Sequence, residues 1–212
     1  MMYSRNKIIV WISITFLFYL IFSAVRIGAA DLLSKYARNE MGTWALSAPD
    51  SSELTKVYRV INMARLIAPD MPDSYEDLAR LYLARSRTLN GAARSASLKE
   101  GIVLIRQAIV LRPISPYSWT ILMQFKSELG EYDVEFRRAL ERAVSLGPWE
   151  SWVQPIVAEV GLRAWESLVS AEQEMVRKNF VRGLKRQAET MMNIAKEQRR
   201  RCHNKPNTAA CL

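Results

Sequence analysis

The chain has little of what enzymes and metal proteins build their sites from. It carries one histidine, His203, and two cysteines, Cys202 and Cys211, and all three sit in the C-terminal tail. A disulfide-built scaffold is excluded, because no cysteine is left for the core. Serine-triad and Cys-His chemistry need a positioned, partly buried base, and a histidine in a polar tail is not one. There is no glycine-rich phosphate loop, no HExxH and no CxxC pair. The carboxylates are scattered at helix starts and outer faces, where they cap helices and form i,i+4 pairs. The expectation is a binding protein rather than an enzyme, with no catalytic residues, no cofactor and no metal. Glycine and proline are also scarce, 8 of each, which argues against disorder. Ala, Leu, Arg and Glu dominate instead, and they favour an all-helical domain.

Positive charge is abundant but local. The formal net charge is +9. Residues 31–176 hold 17 basic and 19 acidic residues, while 177–201 hold 9 basic and only 2 acidic ones. A nucleic-acid-binding domain carries its basic residues across a whole face, so no nucleic-acid partner is expected.

The longest uncharged run is IIVWISITFLFYLIFSAV, from Ile8 to Val25. At about 1.5 Å per residue it spans roughly 27 Å, close to the hydrocarbon core of a bilayer. Gly28, Ala29 and Ala30 extend it, with Arg26 snorkelling toward headgroups. A cleaved signal peptide is the competing reading, since Arg5 and Lys7 precede the run and Gly28-Ala29-Ala30 resembles a cleavage site. The run exceeds the usual h-region of about 7–15 residues, and its bulky aromatics favour retention as a transmembrane helix. Arg5 and Lys7 place the N-terminus in the cytoplasm, opposed by Arg26, Lys35 and Arg38 on the far side.

Downstream the pattern is a helical-hairpin repeat. Tyr75, Leu78, Ala79 and Tyr82 take positions where tetratricopeptide (TPR) repeats use Trp, Leu, Gly and Tyr, and Gly101, Ile105, Ala108 and Pro113 follow on the partner helix. Trp119 and Leu122 anchor the next first helix, with Phe136, Leu140 and Ala143 on its partner and Pro148 closing it. An earlier repeat shows only its second helix, through Leu54, Val57, Ile61, Ala64 and Ile67 before Pro69. The stretch 90–97 makes the second repeat about ten residues longer than standard, as a helical overhang or a flexible connector. A fourth pair is expected at 149–168 and 171–197, the latter one long helix with Phe180, Leu184, Ala188, Met191 and Ala195 in a stripe. The fold class is thus all-α, an α-α superhelix of TPR-like hairpins after a single N-terminal transmembrane helix. Segments follow: 1–7 a short terminus, 8–30 the membrane helix, 31–49 a juxtamembrane helix or linker, 50–198 the repeat domain, and 199–212 a basic cysteine-containing tail.

Three features are candidates for contact. Trp149 and Trp152 follow Pro148 and are expected to be partly exposed. Arg199, Arg200 and Arg201 end a basic helix, where they complement its dipole or meet anionic lipid or an anionic polymer. Cys202 and Cys211 form a disulfide if the domain lies outside the cytoplasm, and remain free thiols otherwise.

The strings RPISPYSW, LGEYDVEFRRALERAVSLGPWE and VGLRAWESL resemble a family of small TPR-like accessory proteins of bacterial exopolysaccharide biosynthesis operons. The resemblance covers most of 50–200 and is sharpest at 112–168. It implies a membrane-anchored scaffold or adaptor in the cell envelope of a Gram-negative bacterium, acting by protein-protein interaction in making or exporting a surface polysaccharide. With the orientation expected from Arg5, Lys7 and the signal-like layout, the placement is the inner membrane, single-pass, with a periplasmic helical domain. Its partners are the lipid bilayer and a protein of the polysaccharide complex, with an anionic polysaccharide or lipid contact beside them. It transfers no catalytic residue. Two alternatives stand: a cytoplasm-facing adaptor for a glycosyltransferase, and an envelope module binding glycan through Trp149, Trp152, Arg199, Arg200 and Arg201.

Overall fold

The structure, a computed structural model, describes residues 2–44 and 49–203, with side chains from 7 to 201 within those ranges. Every regular element among them is helical: α1 (Met2–Thr43), α2 (Ser51–Ile67), α3 (Pro72–Ser86), α4 (Gly91–Leu111), α5 (Pro116–Leu129), α6 (Val134–Leu146), α7 (Val153–Arg163), α8 (Ser170–Arg186) and α9 (Ala188–His203), with a short 3-10 turn at Trp165–Ser167.

The ends of these helices follow local chemistry. Asp50 caps α2 by accepting from the Ser52 and Glu53 amides, and the Glu53 carboxylate accepts from the Asp50 amide in return. Ser115 caps α5 with Pro116 in its first turn, and Gly130 ends it at φ 72°, a left-handed conformation that suits glycine. Asp133 caps α6 through the Phe136 amide. Pro69, Pro113 and Pro148 each stand two residues past an outer helix, where the missing N–H stops propagation. A repeated bond locks two of these turns. Trp119 Nε1 donates to the Pro113 carbonyl at 2.8 Å, and Gln154 Nε2 donates to the Pro148 carbonyl at 2.8 Å.

Four antiparallel hairpins stack in sequence: residues 30–43 of α1 with α2, then α3–α4, α5–α6 and α7–α8, with α9 laid against α7 and α8. The outer helices carry one code. Val57, Ile61 and Ala64, then Gly101, Ile105 and Ala108, then Phe136, Leu140 and Ala143 are all buried at the same spacing. Leu78, Ala79, Trp119 and Leu122 are buried on the inner helices facing them, and Tyr75 and Tyr82 pack half-buried on the main core. The TPR-like all-α architecture is the one the sequence predicts.

Two details settle what the sequence left open, and a third differs from expectation. The first hairpin does have an inner helix. It is the continuation of α1 itself, with Ala37 buried against Val57, Ile61, Leu78 and Leu81, and Ala30 against Ala64 and Ala68. The extra length at 90–97 is helical overhang: α4 starts at Gly91 and runs 21 residues. Its Arg94 reaches the Glu128 carboxylate at the end of α5, which holds the overhang in place. The expected single helix 171–197 is broken at Gln187, where the backbone turns to φ −147°, ψ 56°. Gln187 Nε2 donates to the Ser151 carbonyl and to Gln154 Oε1. Gly183 leaves room for Met191, whose Cε lies 2.8 Å from where a Cβ would stand. The break lets α9 fold back over α7.

Candidate functional site

The inner helices of the first three hairpins each place one residue at a shared position. Arg38, Arg80 and Gln124 each follow a fully buried residue, namely Ala37, Ala79 and Met123. Two of these side chains are taken up inside the fold. Arg38 Nη1 and Arg80 Nη1 donate to the two oxygens of buried Asp77 at 2.9 and 3.1 Å. Beside it, buried Glu76 accepts from Ser115 Oγ at 3.1 Å and from Ser118. Arg80 then reaches across the third hairpin, its guanidinium 5.1 Å from the centroid of the Trp152 ring. Tyr117 stands between them, its ring 5.8 Å from Trp152 and its hydroxyl donating to Glu150 at 2.5 Å. That bond raises the Tyr117 pKa, with burial adding to it.

The network continues to the last hairpin. Arg182 stacks over the Trp149 ring at 6.0 Å, and Arg186 Nη1 donates to the Trp149 carbonyl at 2.8 Å. The result is an aromatic-arginine edge running from α1 to α8, with Trp149 54% and Trp152 38% exposed. Such an edge offers cation-π and stacking surfaces with anion-attracting charge. Among the described residues, no three of His, Cys, Asp and Glu gather as metal ligands.

Arg199, Arg200 and Arg201 lie elsewhere. Gln187 contacts Ser151 at the start of α7, and Gln198 Nε2 donates to Leu162 near its end at 3.4 Å. The two helices therefore run side by side in the same sense, which puts the arginine run roughly 20 Å from Trp149 along the helix axis. Arg200 and Arg201 pair with Glu197, and Arg201 lines an open cleft of about 350 Å³ between α7 and α9. The tryptophans and this run thus sit at opposite ends of α7. Cys211 lies outside the described residues, and only the backbone of Cys202 lies within them, at the end of α9. The cations that do join the tryptophans, Arg80, Arg182 and Arg186, have no motif; only the i,i+4 spacing of 182 and 186 marks them as sharing a face.

Asp77 gives the network a pH signature. Its burial pushes its pKa up from 3.8 to about 6, against the opposing pull of Arg80 and Arg38, with Glu76 and Asp73 adding to the rise. A raised carboxylate stabilises the fold relative to its ionised form below the unfolded value, and that contribution is lost as pH rises through about 6. In denaturant unfolding of wild type and Asp77→Asn, wild type is expected to lose ~3 kcal/mol relative to the variant between pH ~4 and ~7. A flat difference curve would show that Asp77 titrates normally.

No protein-family model matches the chain, and no curated protein does. The crystal structure of TTC0263, a thermophilic TPR protein of Thermus thermophilus, is similar to it, with a TM-score of 0.53 and 14% identity over 82% of this chain and 92% of that one. At that identity the likeness speaks for the fold: a TPR-like stack of helical hairpins, carrying one N-terminal helix long and apolar enough to cross a membrane.

Proposed function

We propose that the protein is a membrane-anchored TPR-like scaffold that assists exopolysaccharide biosynthesis or export through protein-protein contacts. The observation that carries the anchored part is α1. It runs without a break from the apolar segment, whose Trp11, Phe16, Phe18 and Phe22 are exposed, into the first hairpin, where Ala30 and Ala37 are buried. A helix with an outward apolar surface at one end and a packed core at the other joins bilayer to domain without a linker. Confinement to the membrane raises the effective concentration of domain and partner without any new contact. Support for the scaffold part is the fold, since hairpin stacks present extended binding surfaces. Support for the polysaccharide part is the resemblance carried by RPISPYSW and LGEYDVEFRRALERAVSLGPWE. Arg5 and Lys7 favour an N-terminus in the cytoplasm and a periplasmic domain at the inner membrane.

The test is in-cell photo-crosslinking combined with deletion. Crosslinkers at 124 and at half-exposed Trp152 are expected to capture one membrane-associated protein of the polysaccharide machinery, and one at outward-facing Val110 to capture none. Deletion is expected to lower surface polymer yield. Unchanged polymer together with no specific adduct would reject the scaffold reading. A membrane-impermeant maleimide on Val134→Cys in intact cells reads the orientation: labelling only after lysis replaces it with the cytoplasm-facing adaptor.

A further inference from the structure

Helix direction alternates along the stack, so each turn from an outer helix back to an inner one lies at the end where α1 emerges from its apolar run. A string of contacts joins these turns. Arg26 Nη2 pairs with Asp70 at 2.8 Å across α1 and the α2–α3 turn. Arg112 at the end of α4 pairs with Asp73 at the start of α3. Tyr117 binds Glu150 in the next turn, and Arg186 at the end of α8 binds the Trp149 carbonyl.

The residue after the turn proline is Asp70, Ile114 and Trp149 in successive turns. Asp70 pairs with Arg26, the first charge beyond the apolar run, which fixes that turn at headgroup level on the anchored reading above. Its counterparts are apolar and open: Ile114 is 74% exposed and Trp149 54%. Arg182 and Arg186 meet Trp149, and Lys185 lies between them in the sequence of α8. Among the described residues no carboxylate lies within ion-pair distance of these three, and Glu189 is the acidic residue nearest in sequence.

We propose that this edge lies on the bilayer, with Ile114 and Trp149 in the headgroup-acyl boundary and Arg182, Lys185 and Arg186 against anionic lipid headgroups. The occupant is a lipid surface because the edge continues from the anchor and combines interfacial tryptophan with cations that no carboxylate neutralises. The domain then lies down beside its anchor, and its far end, with Val134, Arg199, Arg200 and Arg201, points away. Lipid contact thereby moves from the terminal arginine run, where sequence suggested it, to α8.

The inference rests on the anchored reading, and the test separates the two. The full chain carrying C202S and C211S receives single fluorophore-labelled cysteines at 12, 114, 149 or 134. It is reconstituted into phosphatidylcholine vesicles containing phosphatidylglycerol and a quencher-labelled lipid. Positions 12, 114 and 149 are expected to be quenched and 134 not. About three cation-lipid contacts shift the docking equilibrium by roughly a hundredfold. Reversal to R182E/K185E/R186E, or vesicles of phosphatidylcholine alone, should therefore bring 149 down to the level of 134. Quenching at 12 with 114 or 149 no better than 134 overturns the docking and leaves the anchor. No quenching at 12 overturns both.

Discussion

Gly101→Ala is expected to destabilise the protein by about 2 kcal/mol, although alanine is the better helix former by ~1 kcal/mol. A Cβ at 101 would overlap Cζ and Cε1 of Phe125 and stand 3.1 Å from its Cε2. Phe125 is fully buried inside the main core, among Ile102, Ile105 and Met123, so its ring has no vacant space to enter. Overpacking of this kind costs roughly 1–3 kcal/mol or more, which exceeds the propensity gain and sets the sign. Gly28→Ala is the control, because nothing lies within 4 Å of a Cβ there. Phe125→Leu in the Gly101→Ala background should recover part of the loss, with a favourable coupling of ~1 kcal/mol in a double-mutant cycle. Denaturant unfolding in detergent reads both. An alanine variant as stable as wild type, or zero coupling to 125, would mean that α4 and α5 do not meet through this contact.

The same contact shows why the outer helices were legible in the sequence. The 4,3 spacing at 57/61/64, 101/105/108 and 136/140/143, with a large aliphatic residue in the middle and alanine last, is followed by a proline each time and needs no knowledge of distant residues. The first inner helix was legible as a helix continuing the membrane segment, but not as a member of a repeat. Its packing residues Ala30, Ser34 and Ala37 are small, and they follow directly on the apolar run, which hides their period. The overhang of α4 was ambiguous because GAARSAS carries glycine and serine; what fixes it is Arg94 meeting Glu128, 34 residues away. The break at Gln187 has no glycine or proline at the bend, and its cause is a pair of hydrogen bonds to 151 and 154. The exposure of Trp149 and Trp152 followed from Pro148, whereas their arginine neighbours did not. Arg80 lies 72 residues from Trp152, and no local spacing encodes a cation-π contact over that separation.

Lys126 shows such long-range logic inside one hairpin. It occupies the register that Tyr82 holds in the hairpin before, and it is 4% exposed. Its ammonium donates to Glu131 at 2.5 Å and Asp133 at 2.6 Å, with Glu135 at 3.6 Å. Desolvation alone would lower its pKa, but hydrogen bonds to Asp133 and Glu131 outweigh that and leave it raised. Lys126→Met keeps the buried stem and removes the charge, so three carboxylates remain, with Arg106 on Glu135 alone. Breaking a fully buried pair costs about 3–5 kcal/mol. Here Glu131 and Asp133 are about half exposed, and solvent screening reduces the expected loss to about 2 kcal/mol at neutral pH. The sign with pH follows from the acids. Asp133 is tilted upward by burial but held below its ordinary value by Lys126 and the Phe136 amide, and Glu135 is lowered by Arg106 foremost and by Lys126. Lowered carboxylates stabilise the fold above their unfolded pKa, and that share is lost as pH falls through the folded values. The gap between wild type and Lys126→Met should therefore be widest near pH 7 and close below pH ~4. Because Asp133 also caps α6, amide exchange at Phe136 should speed up in the variant. An equal gap at both pH values would assign the effect to stem packing and remove the charge cluster from the account of this turn.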